Sequence, residues 1–179
     1  VTSLGRGLTL DVIAETVLGI VVAHFDAAGV DLPERRYVAA GDPSAIAWDC
    51  DQLCVALRGI GWGPAEDSAP SSPQVGAGLS AMGVRHAVLS IQLVRCTPSS
   101  GERGTGIPSA EVVHAAGLQF ARDGGLLSQA LVTACSRTGG LVGPGGAATV
   151  QAGALTPLGP EGGKHAWDAA LAITAMDLA

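Results

Sequence analysis

Two stretches of this chain alternate apolar and polar residues with a period of two, the pattern of strands that bury one face. They are Cys50-Asp51-Gln52-Leu53-Cys54-Val55-Ala56-Leu57 and Leu89-Ser90-Ile91-Gln92-Leu93-Val94-Arg95-Cys96. An antiparallel pairing with Leu53 opposite Leu93 also sets Val55 against Ile91 and Leu57 against Leu89 on one face. The same register sets Cys50 opposite Cys96. A slip by one residue would send one strand's apolar set to the wrong face, so the pattern itself selects the register.

The remaining pattern is helical at three places and strand-like at three. Leu10, Ile13, Ala14, Val17, Val21 and Phe25 form one stripe at helical spacing, predicting an amphipathic helix over 9–28. Thr9 is its expected N-cap and Gly29 its stop. A short strand is expected over 36–40, and the two alternating stretches extend to strands over 50–61 and 83–96. Pro108-Ser109-Ala110-Glu111 opens the next helix with Ser109 as N-cap. Val113, Ala116 and Phe120 are read as its apolar side. Asp123-Gly124-Gly125 is read as a break, with a further helix over 126–137 burying Leu127, Leu131 and Ala134. Strands over 148–156 and 166–178 follow, joined by Pro157-Leu158-Gly159-Pro160-Glu161-Gly162-Gly163 as a turn-dense hairpin connection. In the last strand Trp167, Leu171 and Ile173 share a face. The expected order is α-β-β-β-α-α-β-β. That is an α+β domain, a mostly antiparallel sheet of four to five strands with helices packed on one face. Residues 1–179 make a single domain, with 1–8 a loose arm and 62–81 and 97–107 long loops.

Composition narrows the function classes. At 179 residues the chain can bury a proper core. Its formal charge is −6, and its basic residues, arginines apart from Lys164, are scattered rather than clustered. That argues against a duplex nucleic-acid binder. The longest apolar run, Val17 to Ala23, is far shorter than the ~20 residues of a membrane span, so no membrane association is expected. No export signal is read at the start, which makes a reducing cytoplasm the expected compartment of synthesis.

Candidate chemistry is sparse. Cys50 and Cys54, four apart on a strand, stand roughly 13 Å apart, too far for one tetrahedral metal. The cysteines read as buried or half-buried thiols, reduced on account of the compartment. His24, His86, His114 and His165 have no metal-binding spacing, and the glycine runs lack the Lys-Ser/Thr of a phosphate loop. No catalytic residue, metal or cofactor is expected. Trp62, at the root of the long loop, either caps the core edge or anchors a contact. With Glu66, Asp67 and Arg103 on the two loops it forms the expected interface set.

Several segments together resemble the tail terminator proteins of long-tailed, siphovirus-type phages of actinobacteria. They are the opening helix ending Ala28-Gly29-Val30-Asp31-Leu32-Pro33, then Cys50-Asp51-Gln52-Leu53, Leu93-Val94-Arg95-Cys96, Pro108-Ser109-Ala110-Glu111 and the run 157–163. The resemblance implies a structural virion protein, not an enzyme. It implies a ring, usually of six subunits, at the tail–neck junction, assembled in the bacterial host cytoplasm. The ring caps the head-proximal end of the tail tube, stops tube polymerisation and joins the tail to the neck. Its partners would be copies of itself, the tail tube protein and a neck or head-closure protein. Genomic DNA would pass through the acidic lumen without specific binding. The alternatives are a head-side adaptor or stopper ring and a small thiol-dependent hydrolase.

Overall fold

The structure is a computed structural model that describes residues 9–41, 51–62, 85–98, 107–136, 141, 149–161 and 163–175. Two helices and five strands follow one another as α1 (Leu10–Ala27), β1 (Arg35–Ala40), β2 (Gln52–Trp62), β3 (Arg85–Cys96), α2 (Ala110–Cys135), β4 (Thr149–Glu161) and β5 (Lys164–Ala175). The strands form one sheet in the order β1-β2-β3-β5-β4. All neighbours are antiparallel except β1, which runs parallel to β2. This is the expected α+β class, with one helix fewer than expected.

The central register is the one that the alternation selects: Leu53 lies opposite Leu93, Val55 opposite Ile91 and Leu57 opposite Leu89. Past Leu57 the ladder shifts by one, leaving Arg58 as the extra residue, and Gly59 pairs with Val88. On the far side of β3, Trp167, Ala169, Leu171 and Ile173 of β5 continue the apolar face opposite Leu93, Ile91, Leu89 and Ala87. The α1 stripe closes over this face. Ile13, Ala14, Val17, Val21 and Phe25 are buried as expected, and the second half of α2 adds Leu127, Ala130, Leu131 and Ala134. The opposite face of the central strands is also buried at Gln52, Ser90 and Gln92. Part of its polarity is satisfied by Tyr37 Oη donating to Gln52 Oε1 at 3.1 Å and Ser90 Oγ donating to Asp168 Oδ1 at 2.7 Å.

Helix ends follow the local sequence. The α1 terminus is a Schellman turn: Val30 N–H donates to Phe25 O, Gly29 N–H donates to Asp26 O, and Gly29 takes φ +60°. Ser109 caps α2, its hydroxyl accepting from Val112 N–H at 3.3 Å. Thr9 occupies the N-cap position of α1 but makes no side-chain bond to the helix backbone. Its hydroxyl instead donates to Asp11, the main cause of that carboxyl lying below its ordinary range, with the Val12 amide adding to the effect.

Two expectations are corrected. α2 is one continuous helix of 26 residues, and Asp123-Gly124-Gly125 lies inside it. The reason is tertiary. Gly124 meets the Trp167 indole at a distance where no Cβ fits, and Asp123 is the buried partner of Arg95. The run Pro157–Glu161 is the second half of β4 rather than a hairpin connection. β4 is an edge strand with register shifts between Ala152 and Leu155 and between Leu158 and Glu161. At such an edge a proline's missing N–H costs no ladder bond. The prolines and bulges also blunt the edge against pairing with another chain.

Among the described residues no helix is long and apolar enough to cross a membrane.

Candidate functional site

β3 carries its apolar face through Leu89, Ile91 and Leu93, and the next residue on that face is Arg95. A guanidinium there needs a partner of opposite sign, because an unpaired buried charge is far too costly. Asp123 of α2 supplies it. Arg95 Nε donates to Asp123 Oδ2 at 2.9 Å, and Nη2 reaches Oδ1 at 3.4 Å. Nη2 also donates to the Asp31 carbonyl at 2.7 Å, tying the turn after α1 to the same group. Arg95 is 7% exposed and Asp123 0%. Fully satisfied, such a network fixes how α1, β3 and α2 meet.

His165 of β5 lies directly opposite Arg95 in the ladder. It is 8% exposed, and its Nε2 has no hydrogen-bond partner; Thr97 Oγ1, just past the end of β3, is a second buried atom without one. Burial, the largest cause, pushes the imidazole below its ordinary value. Asp123 then pulls it up, Arg95 pushes it down and Asp51 pulls it up. The Phe120 ring meets His165 edge-on at 4.3 Å and stacks on Trp167 at 4.5 Å. The Trp167 indole N–H donates to the Phe120 carbonyl at 2.8 Å.

Beside this cluster opens a cleft of about 640 Å³ lined by Leu32, Pro33, Glu34, Arg35, Asp51, Arg95, Cys96 and Gln119. Asp51 holds φ +53°, a left-handed conformation that a non-glycine residue adopts at some cost. Above the cleft the first half of α2 projects past the sheet. Val113 is 54% exposed and Leu118 59%, so the expected apolar side of Val113, Ala116 and Phe120 reduces to Phe120, with Ala116 half-buried. The chemistry available is polar contact and apolar docking. Among the described residues no group of three or more His, Cys, Asp or Glu could hold a metal ion.

The cysteines divide. Cys54 is buried and free, and Cys135 is half-buried and free, as expected. Burial pushes both thiols up, opposite to the shift that activates a nucleophile. Cys96 is disulfide-bonded, which corrects the expectation of a reduced thiol there. That expectation came from the compartment, whereas the register sets Val94, two residues before Cys96, opposite Gln52 at the start of β2. Cys50 lies outside the described residues. A peptide map of unreduced protein is expected to show Cys96 linked to Cys50, the one cysteine left in the sequence once Cys54 and Cys135 are free.

The expected interface set does not coincide with this cluster. Glu66, Asp67 and Arg103 lie outside the described residues. Trp62 ends β2 opposite Arg85, roughly 33 Å along the strand from Gln52 at ~3.3 Å per residue. Sequence reasoning passed over Arg95, Asp123 and His165 as site residues. Arg95 was detectable, since it is a charge in phase with Leu89, Ile91 and Leu93.

The His165 surroundings give a pH dependence of stability with a definite sign. Its folded value lies below the unfolded value of about 6.5. Above that pH both states are neutral and the group contributes nothing to the difference. Below it the unfolded chain binds a proton that the native chain resists, so stability falls with pH until the folded value is reached. The urea midpoint is expected to drop between pH 7 and pH 5, with a smaller drop in His165→Phe.

No known protein family matches this chain, and no curated protein matches it.

Proposed function

We propose that the chain is a tail terminator of a long-tailed actinobacterial phage, a structural protein that forms a ring on the head-proximal end of the tail tube. One observation carries the reading. Four of the five segments that resemble the family, far apart in sequence, meet at one end of the fold. The turn Ala28–Pro33 gives the Asp31 carbonyl to Arg95 of the Leu93–Cys96 segment. Asp51 and Arg95 line the same cleft as Leu32 and Pro33. The Gly163 carbonyl, from the run 157–163, accepts from Thr97 N–H at 2.7 Å. Pro108–Glu111 opens the helix that overhangs this end. Motifs without catalytic character that converge on one end of a subunit suit a shared structural task.

The overhang supports the same reading. Val112, Val113 and Leu118 are large apolar residues left in solvent, a surface suited to contact with another subunit. In a closed ring each subunit uses one patch towards one neighbour and a different patch towards the other. The net acidic charge suits a lumen through which DNA passes without adhering.

The decisive experiment removes the protein during infection and images the particles. Abnormally long tails are expected, because nothing then arrests tube growth. Tails of normal length that fail to join heads would replace this reading with a head-side neck ring. Virions that assemble normally and never contained the protein would overturn it.

A further inference from the structure

His165 sits beneath the point where α2 leaves the sheet. The helix is docked from Asp123 onward through Asp123, Gly124, Leu127, Ala130, Leu131 and Ala134. The turns before Phe120 carry no buried residue, and Ala116 there is only half-buried. Phe120, at the root of the overhang, is held by its stack on Trp167, its edge contact with His165 and the bond from the Trp167 indole to its carbonyl. Under that lid His165 Nε2 is buried without a partner.

We propose that His165 is the pivot of an acid-sensitive hinge: when its ring is protonated, the first half of α2 lifts from the sheet end while the second half stays docked. The charged groups around the ring fix the direction. Arg95 faces it from β3, Asp123 from α2 and Asp51 from the approach to β2. Lys164 precedes it on β5, where alternation points neighbouring side chains to opposite faces. Both oxygens of Asp123 are engaged by Arg95, and Asp51 is exposed to water. A second cation beside Arg95 therefore finds no dedicated acceptor, and a buried donor without one is costly. Lifting Phe120 admits water to Nε2 and relieves that cost. The overhang yields first because few buried contacts hold it, and regions so held open at the lowest free energy. Detached from Phe120, its turns are too short to persist as an isolated helix. Acid thereby removes the apolar surface of Val112, Val113 and Leu118. The inference stands on this cluster alone, independent of the terminator reading.

Hydrogen exchange on the full chain tests it, with rates corrected for their intrinsic pH dependence. Between pH 7.5 and pH 5.5 the peptide over 107–121 is expected to lose protection by about tenfold, while the peptide over 126–135 keeps its own. His165→Phe, which keeps a ring and removes the proton site, should hold 107–121 protected at both pH values. Unchanged protection in the natural chain, loss from both halves together, or a loss that persists in His165→Phe would overturn the proposal. Should His165→Phe not fold, an NMR titration of the natural chain decides. A shared midpoint for the His165 ring and the Trp167 indole N–H supports the hinge. An indole signal that ignores the His165 titration overturns it.

Discussion

Asp123→Ala is expected to destabilise the protein by about 3–5 kcal/mol, read as a lowered urea midpoint at unchanged slope. The cost arises on the other partner. Arg95 remains between β3 and α2 at 7% exposure, keeping its bond to the Asp31 carbonyl and losing both carboxylate oxygens. An uncompensated buried charge is worse than no charge at all. The double variant Arg95→Met, Asp123→Leu should therefore be more stable than Asp123→Ala alone, because it removes both charges and fills the space. A double variant no more stable than the single one would show that the pair contributes through packing rather than charge.

Neighbouring glycines in α2 are expected to respond with opposite signs. In an exposed helix interior Gly→Ala gains about 1 kcal/mol. Gly125 is exposed, and nothing lies within 4 Å of where its Cβ would stand, so Gly125→Ala should stabilise by up to that amount. At Gly124 a Cβ would come within 2.5 Å of Trp167 Cζ2 and 2.6 Å of Cε2. The indole cannot swing aside freely, since it stacks on Phe120 and its N–H is bonded to the Phe120 carbonyl. Overpacking of this kind costs about 1–3 kcal/mol, enough to outweigh the helical gain. Gly124→Ala should thus lower the thermal midpoint while Gly125→Ala raises it. The near-ultraviolet circular dichroism of Trp167 should change only in the former. Equal shifts at the two positions would refute the close approach.

The same two residues mark where the sequence stopped being legible. The α1 stripe and the pairing of β2 with β3 were readable because both rest on periodicity, which burial on one face imposes directly. Asp123-Gly124-Gly125 reads locally as a helix stop, since an acidic residue before two glycines is poor in helix propensity. What keeps the helix running is a carboxylate owed to Arg95 and a gap owed to Trp167, and neither need is visible within α2 itself. Pro157 and Pro160 misled in the same manner. They exclude a central strand, yet the outer edge of the sheet accepts them. The site residues were the least legible. Three of the expected four lie outside the described residues, and the fourth, Trp62, stands at the other end of β2. The Arg95–Asp123–His165 cluster joins three separate elements, and only Arg95 betrays itself, by its phase on β3.

The strand order β1-β2-β3-β5-β4 bears on how the chain is made. β5 is translated after the other four strands, yet it lies in the interior of the sheet, between β3 and β4. β4 leaves the ribosome before the strand it will pair with exists. Until β5 emerges, β3 offers its second edge to the cell, with Ala87, Leu89, Ile91 and Leu93 covered from one direction only. Completion of the sheet is therefore a late insertion of the final strand, linking residues as far apart as Ser90 and Asp168. Such distant pairings close slowly. Nascent chains should accumulate as incomplete sheets for a period set by that insertion, during which chaperones and proteases compete for them.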